Sequence, residues 1–321
     1  MPGNLLLGLA SGRGHHRRLS ILIFHRVFSE RDDLFPGEPD ATRFDALMAH
    51  VRRRFNVLPL ADGIARLRRK ALPTRALAVT FDDGYADNLA VAAPILRRHG
   101  VPATVFVATS FLDGGCMWND MVCEACRRTT HAELDLELIG LGRHAVGDIH
   151  GRRSLIQRLL DQLKYEALDR RDAMSRTISE AAGVPVPTDL MLDGAALREL
   201  VDYGIDVGAH TRRHPILAQT PDALAWTEIT EGRMELESIL GRPVNLFAYP
   251  NGKPDQDYTG EHVRMVREAG FDAAMSTAWG AASPSSDMFQ LPRFTPWRFN
   301  PLGFDLLMMR NLRQGLERQA A

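Results

Sequence analysis

The chain is short of cysteine, of net charge and of long apolar runs, and each shortage excludes something. Only three of its 321 residues are cysteine, Cys116, Cys123 and Cys126, all within one short stretch. No disulfide framework can therefore hold the fold, and the usage fits a reducing compartment. Thirty-nine Lys and Arg against 40 Asp and Glu leave a formal net charge of -1, which offers no basic field to a nucleic acid. No run of apolar residues approaches the roughly 18 that a membrane-spanning helix needs. Tandem repeats and low-complexity segments are also lacking. The opening segment has one apolar stretch of six residues, Leu5 to Ala10, with no Lys or Arg before it, a poor match to a secretory signal. Residues 1–18 are expected to form a flexible tail, with His15, His16, Arg17 and Arg18 solvated, and the protein is expected in the cytoplasm.

What is present is ordinary globular composition, 45% hydrophobic and 25% charged, in a length that suits one large barrel or two average domains. Short apolar runs recur at Ile21 to Phe24, Phe55 to Leu58, Ala76 to Phe81, Ala103 to Ala108, Ile205 to Ala209, Val244 to Tyr249, Ala273 to Ser276 and, more weakly, Phe289 to Phe294. Helical periodicity fills the gaps, as at Arg43 to Arg54, Asn88 to His99, Leu197 to Tyr203, Pro221 to Leu240 and Glu261 to Ala269. Continuous apolar runs alternating with helices predict strands buried on both faces of a mostly parallel sheet. The fold class is α/β, either a barrel or a doubly wound sheet. From about 116 to 187 the rhythm stops, and a helical pattern through Leu155, Leu159, Leu160 and Leu163 predicts a helical insertion. Asp193 is placed to cap the helix that follows. Residues 301–321 are expected to form a terminal helix.

The polar residues fall at the ends of these runs. Ile21 to Phe24 ends in His25, and Ala76 to Phe81 ends in Asp82-Asp83-Gly84. Ile205 to Ala209 ends in His210, with His214 four residues on, and Val244 to Tyr249 ends in Pro250-Asn251-Gly252. In a parallel barrel the C-terminal strand ends meet on one face, which carries the active site. Two imidazoles and one carboxylate match the three protein ligands of a catalytic zinc site, which keeps one position open. The second carboxylate of the Asp82-Asp83 pair is then free to act as a base. The two roles are not assigned by the residues alone. Each piece in isolation has a bland reading: Asp-Asp-Gly as a turn, paired histidines as a solvated helix face, His25 as a strand-end residue. Their joint occurrence at successive strand ends is what favours chemistry.

At these residues the sequence resembles the polysaccharide deacetylases of carbohydrate esterase family 4, the NodB homology domain. The motif T-F-D-D-G appears as Thr80 to Gly84 within TFDDGYADN, and H-[ST]-x-x-H appears as His210 to His214, HTRRH. The resemblance covers about 19–300. It implies a distorted (β/α) barrel of about seven parallel strands, interrupted by the insertion at 116–187. It also implies Asp82 as general base and Asp83, His210 and His214 as ligands of a divalent metal, most often Zn2+, with Co2+, Ni2+ or Mn2+ as alternatives.

Departures from the family pattern are informative. Its Arg-x-Pro-x-Gly element stands here as Ala248-Tyr249-Pro250-Asn251-Gly252, so the arginine that steadies the catalytic carboxylate is missing. Arg293, in Leu291-Pro292-Arg293-Phe294, is the candidate replacement, since a guanidinium beside Asp82 would hold it ionised. Tyr249, Pro250 and Asn251 are read as the substrate and oxyanion stretch, with the Asn251 N–H as donor. The Asp-Trp element is absent from Phe271 to Gly280, and no histidine follows His262. Some members supply the acid from the first strand, and Phe24-His25 resembles that arrangement, which makes His25 the general acid. Trp118, Phe294 and Trp297 are candidates for an acetyl pocket or sugar platform, with core packing as the alternative. Cys123 and Cys126 are read as small residues of a helix rather than as a metal or redox pair.

The implied reaction is metal-assisted hydrolysis of an N-acetyl group on N-acetylhexosamine units of a polysaccharide or lipid-linked oligosaccharide. The partner is an acetylated glycan, with envelope-associated action as one setting; oligomeric state is not indicated. Rival readings are an O-acetyl esterase or other amide hydrolase on the same scaffold, and a glycan-binding relative without turnover.

Overall fold

The structure is a computed structural model, and it describes residues 7, 8, 10–12, 14–296, 298–313, 319 and 320. Seven strands form one sheet: β1 (Leu19–Phe24), β2 (Asn56–Val57), β3 (Ala76–Phe81), β4 (Ala103–Val107), β7 (Asp206–Ala209), β8 (Leu246–Ala248) and β9 (Ala273–Met275). Their order is β1-β3-β4-β7-β8-β9, with β2 beside β3, and every pairing is parallel. Segment 288–294 bridges the two edges. Leu291 pairs with Met275 of β9, and Phe294 with Leu22 of β1. The result is a distorted (β/α) barrel in which the last apolar run closes the gap by isolated bridges instead of a full strand. Two prolines, Pro292 and Pro296, flank Phe294, and each lacks the N–H that a regular ladder needs.

Side-chain parity sorts the strands into an inside and an outside. Leu19, Ile21, Ala76, Ala78, Phe106, Leu246, Ala248, Ala273 and Met275 form one buried cluster inside the barrel. Leu22, Phe24, Leu77, Val79, Phe81, Val105, Val107, Val207, Ala209, Phe247 and Tyr249 belong to another, packed against the helices. The helix Leu60–Arg68, not anticipated from the sequence, plugs the N-terminal end of the barrel with Leu60, Ile64 and Leu67. The expected helices appear at Ala41–Arg54, Ala93–His99, Gly194–Asp202, Asp222–Leu240, Gly260–Glu268 and Pro301–Arg313. Asp193 caps its helix, accepting from Ala196 N–H at 2.7 Å.

The stretch 116–187 builds an annex with its own apolar core, including Val122, Cys126, Leu134, Leu155, Leu159 and Ile178. It contains the helices Trp118–Arg128, Ile149–Leu163 and Leu168–Ala181, and also an antiparallel hairpin, β5 (Glu133–Leu136) with β6 (Gly142–Ala145). A purely helical insertion was expected, and the hairpin corrects that. Its β6 strand reads GRHA, too polar and too short to give an apolar alternation. All three cysteines are free and buried. The opening segment, where described, is not a free tail. Leu7 is fully buried in the main core, Arg17 donates to Leu72 O at 2.9 Å and Arg18 to Leu312 O at 3.0 Å. Those hydrogen bonds to main-chain carbonyls replace the solvation expected of Arg17 and Arg18.

Gly208 of β7 lies inside the barrel against Phe106. A Cβ there would sit 2.4 Å from the Phe106 ring, and that ring in turn faces the Arg293 guanidinium at 5.6 Å. Gly208→Ala is expected to destabilise the protein by about 1–3 kcal/mol through overpacking, read from urea denaturation. A change below about 0.5 kcal/mol, typical of a surface position, would show that the interior has slack.

Candidate active site

Strand parity aims the functional side chains. In β3 the inward residues are Ala76, Ala78 and Thr80, so Asp82 points inward as well. The same alternation turns His25 inward after Ile21 and Ile23, and His210 inward after Gly208. The ladder continues just past the strands to hold them. Asp82 N–H donates to Phe24 O at 2.9 Å, and His210 N–H to Val107 O at 3.0 Å.

Arg293 reaches Asp82 from the closing segment. Its Nη1 lies 2.6 Å from Asp82 Oδ1 and its Nη2 2.7 Å from Oδ2. The side chain of Arg293 is 0% exposed and that of Asp82 3%. Arg293 Nε donates to Ser276 O at 3.0 Å, and Nη1 also approaches Thr80 Oγ1 at 3.4 Å. Burial opposes ionisation of Asp82, yet the carboxyl lies below its usual range, because the Arg293 guanidinium, and after it His210, favour the charged form. A bidentate pair of this kind fixes orientation as well as charge.

Asp83, the next residue, breaks the parity. Its φ of +76° turns the carboxylate toward His210 and His214. Asp83 Oδ1 lies 3.5 Å from His210 Nε2 and 3.4 Å from His214 Nε2, and the three donor atoms fall within 4.8 Å of one another. Burial opposes the charge on Asp83, but the facing His210 ring outweighs it and holds the carboxyl well below its usual range. Burial also drives His214 down to about 3, leaving it neutral. His210 Nδ1–H donates to Ala248 O at 2.7 Å, which leaves the Nε2 lone pair free to face Asp83. Asp83 Oδ1 is buried with no hydrogen-bond partner. An orphaned carboxylate oxygen facing two imidazole nitrogens is what a divalent cation would satisfy, and two nitrogens with one oxygen suit zinc.

The loops carrying these groups are strained and clamped. Asp83, Thr211, His214 and Asn251 all have positive φ, a conformation costly for non-glycine residues and common at functional sites. Buried Glu228 accepts from Arg212 N–H at 3.0 Å and Arg213 N–H at 2.7 Å. Its helix comes so close at Gly232 that a Cβ would meet the Thr211 backbone at 2.9 Å. Asn88 Nδ2 donates to His25 O at 2.8 Å, while Asp87 accepts from Val27 N–H at 3.1 Å and Arg26 Nε at 2.7 Å. The second half of TFDDGYADN therefore fastens the end of β1.

His25, Asp82, Asp83, His210, His214 and Asn251 line one cavity of about 420 Å³. Trp118 stands at its wall, under the Arg171 guanidinium at 5.0 Å. One expectation needs correction, and one open choice is resolved. Tyr249 is not a cavity residue: its parity is outward, its ring stacks on Tyr258 at 3.9 Å, and its hydroxyl donates to Phe289 O at 2.9 Å. Phe294 is fully buried and stacks on Trp279 at 5.3 Å, so it is core. Trp297 lies outside the described residues. Pro250 is buried beside Asn251, whose carbonyl accepts from Thr277 Oγ1 at 2.7 Å. Tyr85, Asn119 and Asp120 also line the cavity and were not anticipated. Asp120 and Asn119 come from the insertion, where no strand end marked them.

Two predictions follow from the charges. Arg293→Met leaves Asp82 buried without its partner, a loss of about 3–5 kcal/mol at neutral pH. The lowered carboxyl stabilises the folded state above the unfolded value of about 3.9 and loses that effect as pH falls through the folded value. The unfolded state is common to both proteins, so the stability gap between wild type and Arg293→Met, from urea titrations, should narrow as pH falls from the variant's raised Asp82 value towards the lowered value of the wild type; a pH-independent gap would contradict the pairing. Zn2+ at a hundredfold its Kd should add about 2.7 kcal/mol of stability to the wild type and none to His214→Ala; equal shifts would place the ion elsewhere.

The model of the polysaccharide deacetylase family matches residues 69–135 and 172–274, more than half of the chain, and skips the middle of the insertion. The Bacillus subtilis protein YxkH, named as a polysaccharide deacetylase, is 19% identical over 278 residues, covering 86% of this chain and 70% of its own. Among solved structures, the Streptococcus pyogenes deacetylase PplD in complex with acetate aligns with a TM-score of 0.61 at 17% identity, covering 91% of this chain and 99% of that one. IcaB from Ammonifex degensii aligns with a TM-score of 0.59 at 17% identity, covering 92% and 97%. These structures share the barrel. With the family match extending across more than half of its length, the chain belongs to the polysaccharide deacetylase family.

Proposed function

We propose that this protein is a metal-dependent hydrolase that removes N-acetyl groups from N-acetylhexosamine units of a polysaccharide or lipid-linked oligosaccharide, releasing acetate. The observation that carries this reading is the Arg293-held Asp82 carboxylate beside the Asp83, His210 and His214 donor set, in one cavity with His25. The acetate held by the S. pyogenes relative supports an acetyl group as what is removed.

Asp83, His210 and His214 would hold the divalent ion. When bound, such an ion supplies Lewis acidity that makes water a competent nucleophile near neutral pH. Asp82, ionised and oriented by Arg293, takes the proton that the attacking water gives up. The Asn251 N–H donates to the oxyanion that develops on the acetyl carbonyl. His25, from the end of β1, delivers a proton to the departing nitrogen, so that amide and water become amine and acetate. Trp118 offers an apolar wall for the acetyl methyl or a face for the sugar. The thiols take no part, because burial pushes Cys116 and Cys126 up to about 12 and raises Cys123 as well. Three free, buried thiols support a reducing compartment and hence a cytoplasmic or lipid-linked oligosaccharide substrate.

Acetate release from a panel of N-acetylated and O-acetylated glycans tests this. Asp82→Asn and chelation should each abolish turnover, and His25→Ala should lower kcat by roughly 10²–10⁴-fold. Turnover that survives both chelation and Asp82→Asn would overturn the reading. A full rate in His25→Ala would remove only the assignment of the acid.

A further inference from the structure

The cavity has a second polar wall that the chemistry above does not use. It is built by the insertion helix Trp118–Arg128, opposite the strand ends. Asp120 there is 6% exposed. Its Oδ1 accepts from the Tyr85 hydroxyl at 3.3 Å, while Oδ2 is buried with no hydrogen-bond partner. The neighbouring Asn119 repeats the pattern. Its Nδ2 approaches Tyr85 Oη at 3.5 Å and its Oδ1 is likewise unpartnered. Two orphaned acceptors on consecutive residues, both lining one cavity, are unusual, since a buried acceptor left unsatisfied costs about 1–3 kcal/mol.

Among the described residues, no cation partners these two oxygens. Arg26 is the basic residue nearest in effect, but its Nε is engaged by Asp87 at 2.7 Å and its guanidinium lies over the Phe28 and Tyr85 rings at 4.7 Å each. Burial pushes the Asp120 carboxyl up to about 7, with Arg26 opposing only in part. What the wall lacks is a hydrogen-bond donor, and the cavity is where it would come from. A sugar ring presents several hydroxyl donors at its rim, whereas the acetamide presents a single N–H, at the bond that the strand-end residues act on.

We propose that Asp120, assisted by Asn119, is a specificity-determining residue whose free Oδ2 accepts a hydrogen bond from a hydroxyl of the sugar that carries the acetamide. This rests on the deacetylase reading for its substrate and goes beyond it in assigning the insertion a part in recognition. Tyr85 is the positioning residue, fixing the carboxyl through Oδ1. The roles then divide by element: strand ends break the amide, and the insertion helix reads the ring.

The test compares the wild type with Asp120→Ala and Asp120→Asn on N-acetylglucosamine oligosaccharides at about pH 8.5, where the Asp120 carboxyl, raised by burial to about 7, is ionised and its Oδ2 can accept. Asp120→Ala should raise KM about tenfold with a smaller change in kcat, as loss of one hydrogen bond to a charged or buried acceptor implies. Asp120→Asn keeps a carbonyl acceptor and should recover most of the loss. Substrates lacking single ring hydroxyls should include one whose removal costs the wild type about tenfold and costs Asp120→Ala nothing further. An unchanged KM, or a loss confined to kcat, would overturn the proposal. Calorimetric binding of the same oligosaccharides to Asp82→Asn, with and without Asp120→Ala, separates this from the chemistry. If no acetate is released the deacetylase reading fails, but a roughly tenfold weakening of binding still upholds Asp120. Binding that is absent, or unaltered by the substitution, overturns it.

Discussion

A bidentate ion pair sealed inside the barrel, Asp82 with Arg293, is the constraint around which the structure is arranged. The two residues lie far apart in the chain, and only closure of the sheet by 288–294 brings them together. A guanidinium with so little exposure must have its donors answered, and Ser276 O, Thr80 Oγ1 and both Asp82 oxygens answer them. The pair also divides labour between adjacent carboxylates. Asp82 is tied to a permanent cation, while Asp83 is turned by its positive φ toward two neutral-capable imidazoles. One environment suits a base, the other a ligand.

Ala248 shows how the site tolerates a missing family arginine. With no long side chain at that position, the interior can accept a guanidinium entering from the opposite edge of the sheet. Ala248 keeps a role through its carbonyl, which orients His210. Asp82 receives its guanidinium from the closing segment, through Arg293. A substitution of this kind requires the closing segment to be held in place, which the bridges of Leu291 and Phe294 accomplish.

Much of this was legible in the sequence because strands buried on both faces leave continuous apolar runs, and polar residues interrupting them mark the catalytic rim. Asp82, Asp83, His210, His214, His25 and Asn251 could be named that way, and Arg293, within the last run, because the family arginine is missing at Ala248. Tyr249 was misplaced because adjacency to a motif says nothing about parity; counting from inward Ala248 would have turned it outward. Phe294 takes the core-packing role weighed for it, its backbone serving as a bridge and its ring as core. Asp120 and Glu228 were invisible because each sits in a helix, where a carboxylate reads as solvent-facing until the packing partner is known. The β5–β6 hairpin is too short and polar to stand out, whereas the helix Leu60–Arg68 carries Leu60, Ile64 and Leu67 at i, i+4 and i+7, a helical signal that was legible and passed over.

The central claim is that Arg293 keeps Asp82 ionised for proton transfer. The pH dependence of acetate release by Arg293→Lys and Arg293→Met, each compared with the wild type, tests it most directly. With the bidentate contact weakened or removed, burial dominates at Asp82, its pKa rises, and the acid limb of the rate profile should move to higher pH, further for Met than for Lys. An acid limb at the same pH in all three proteins would contradict it.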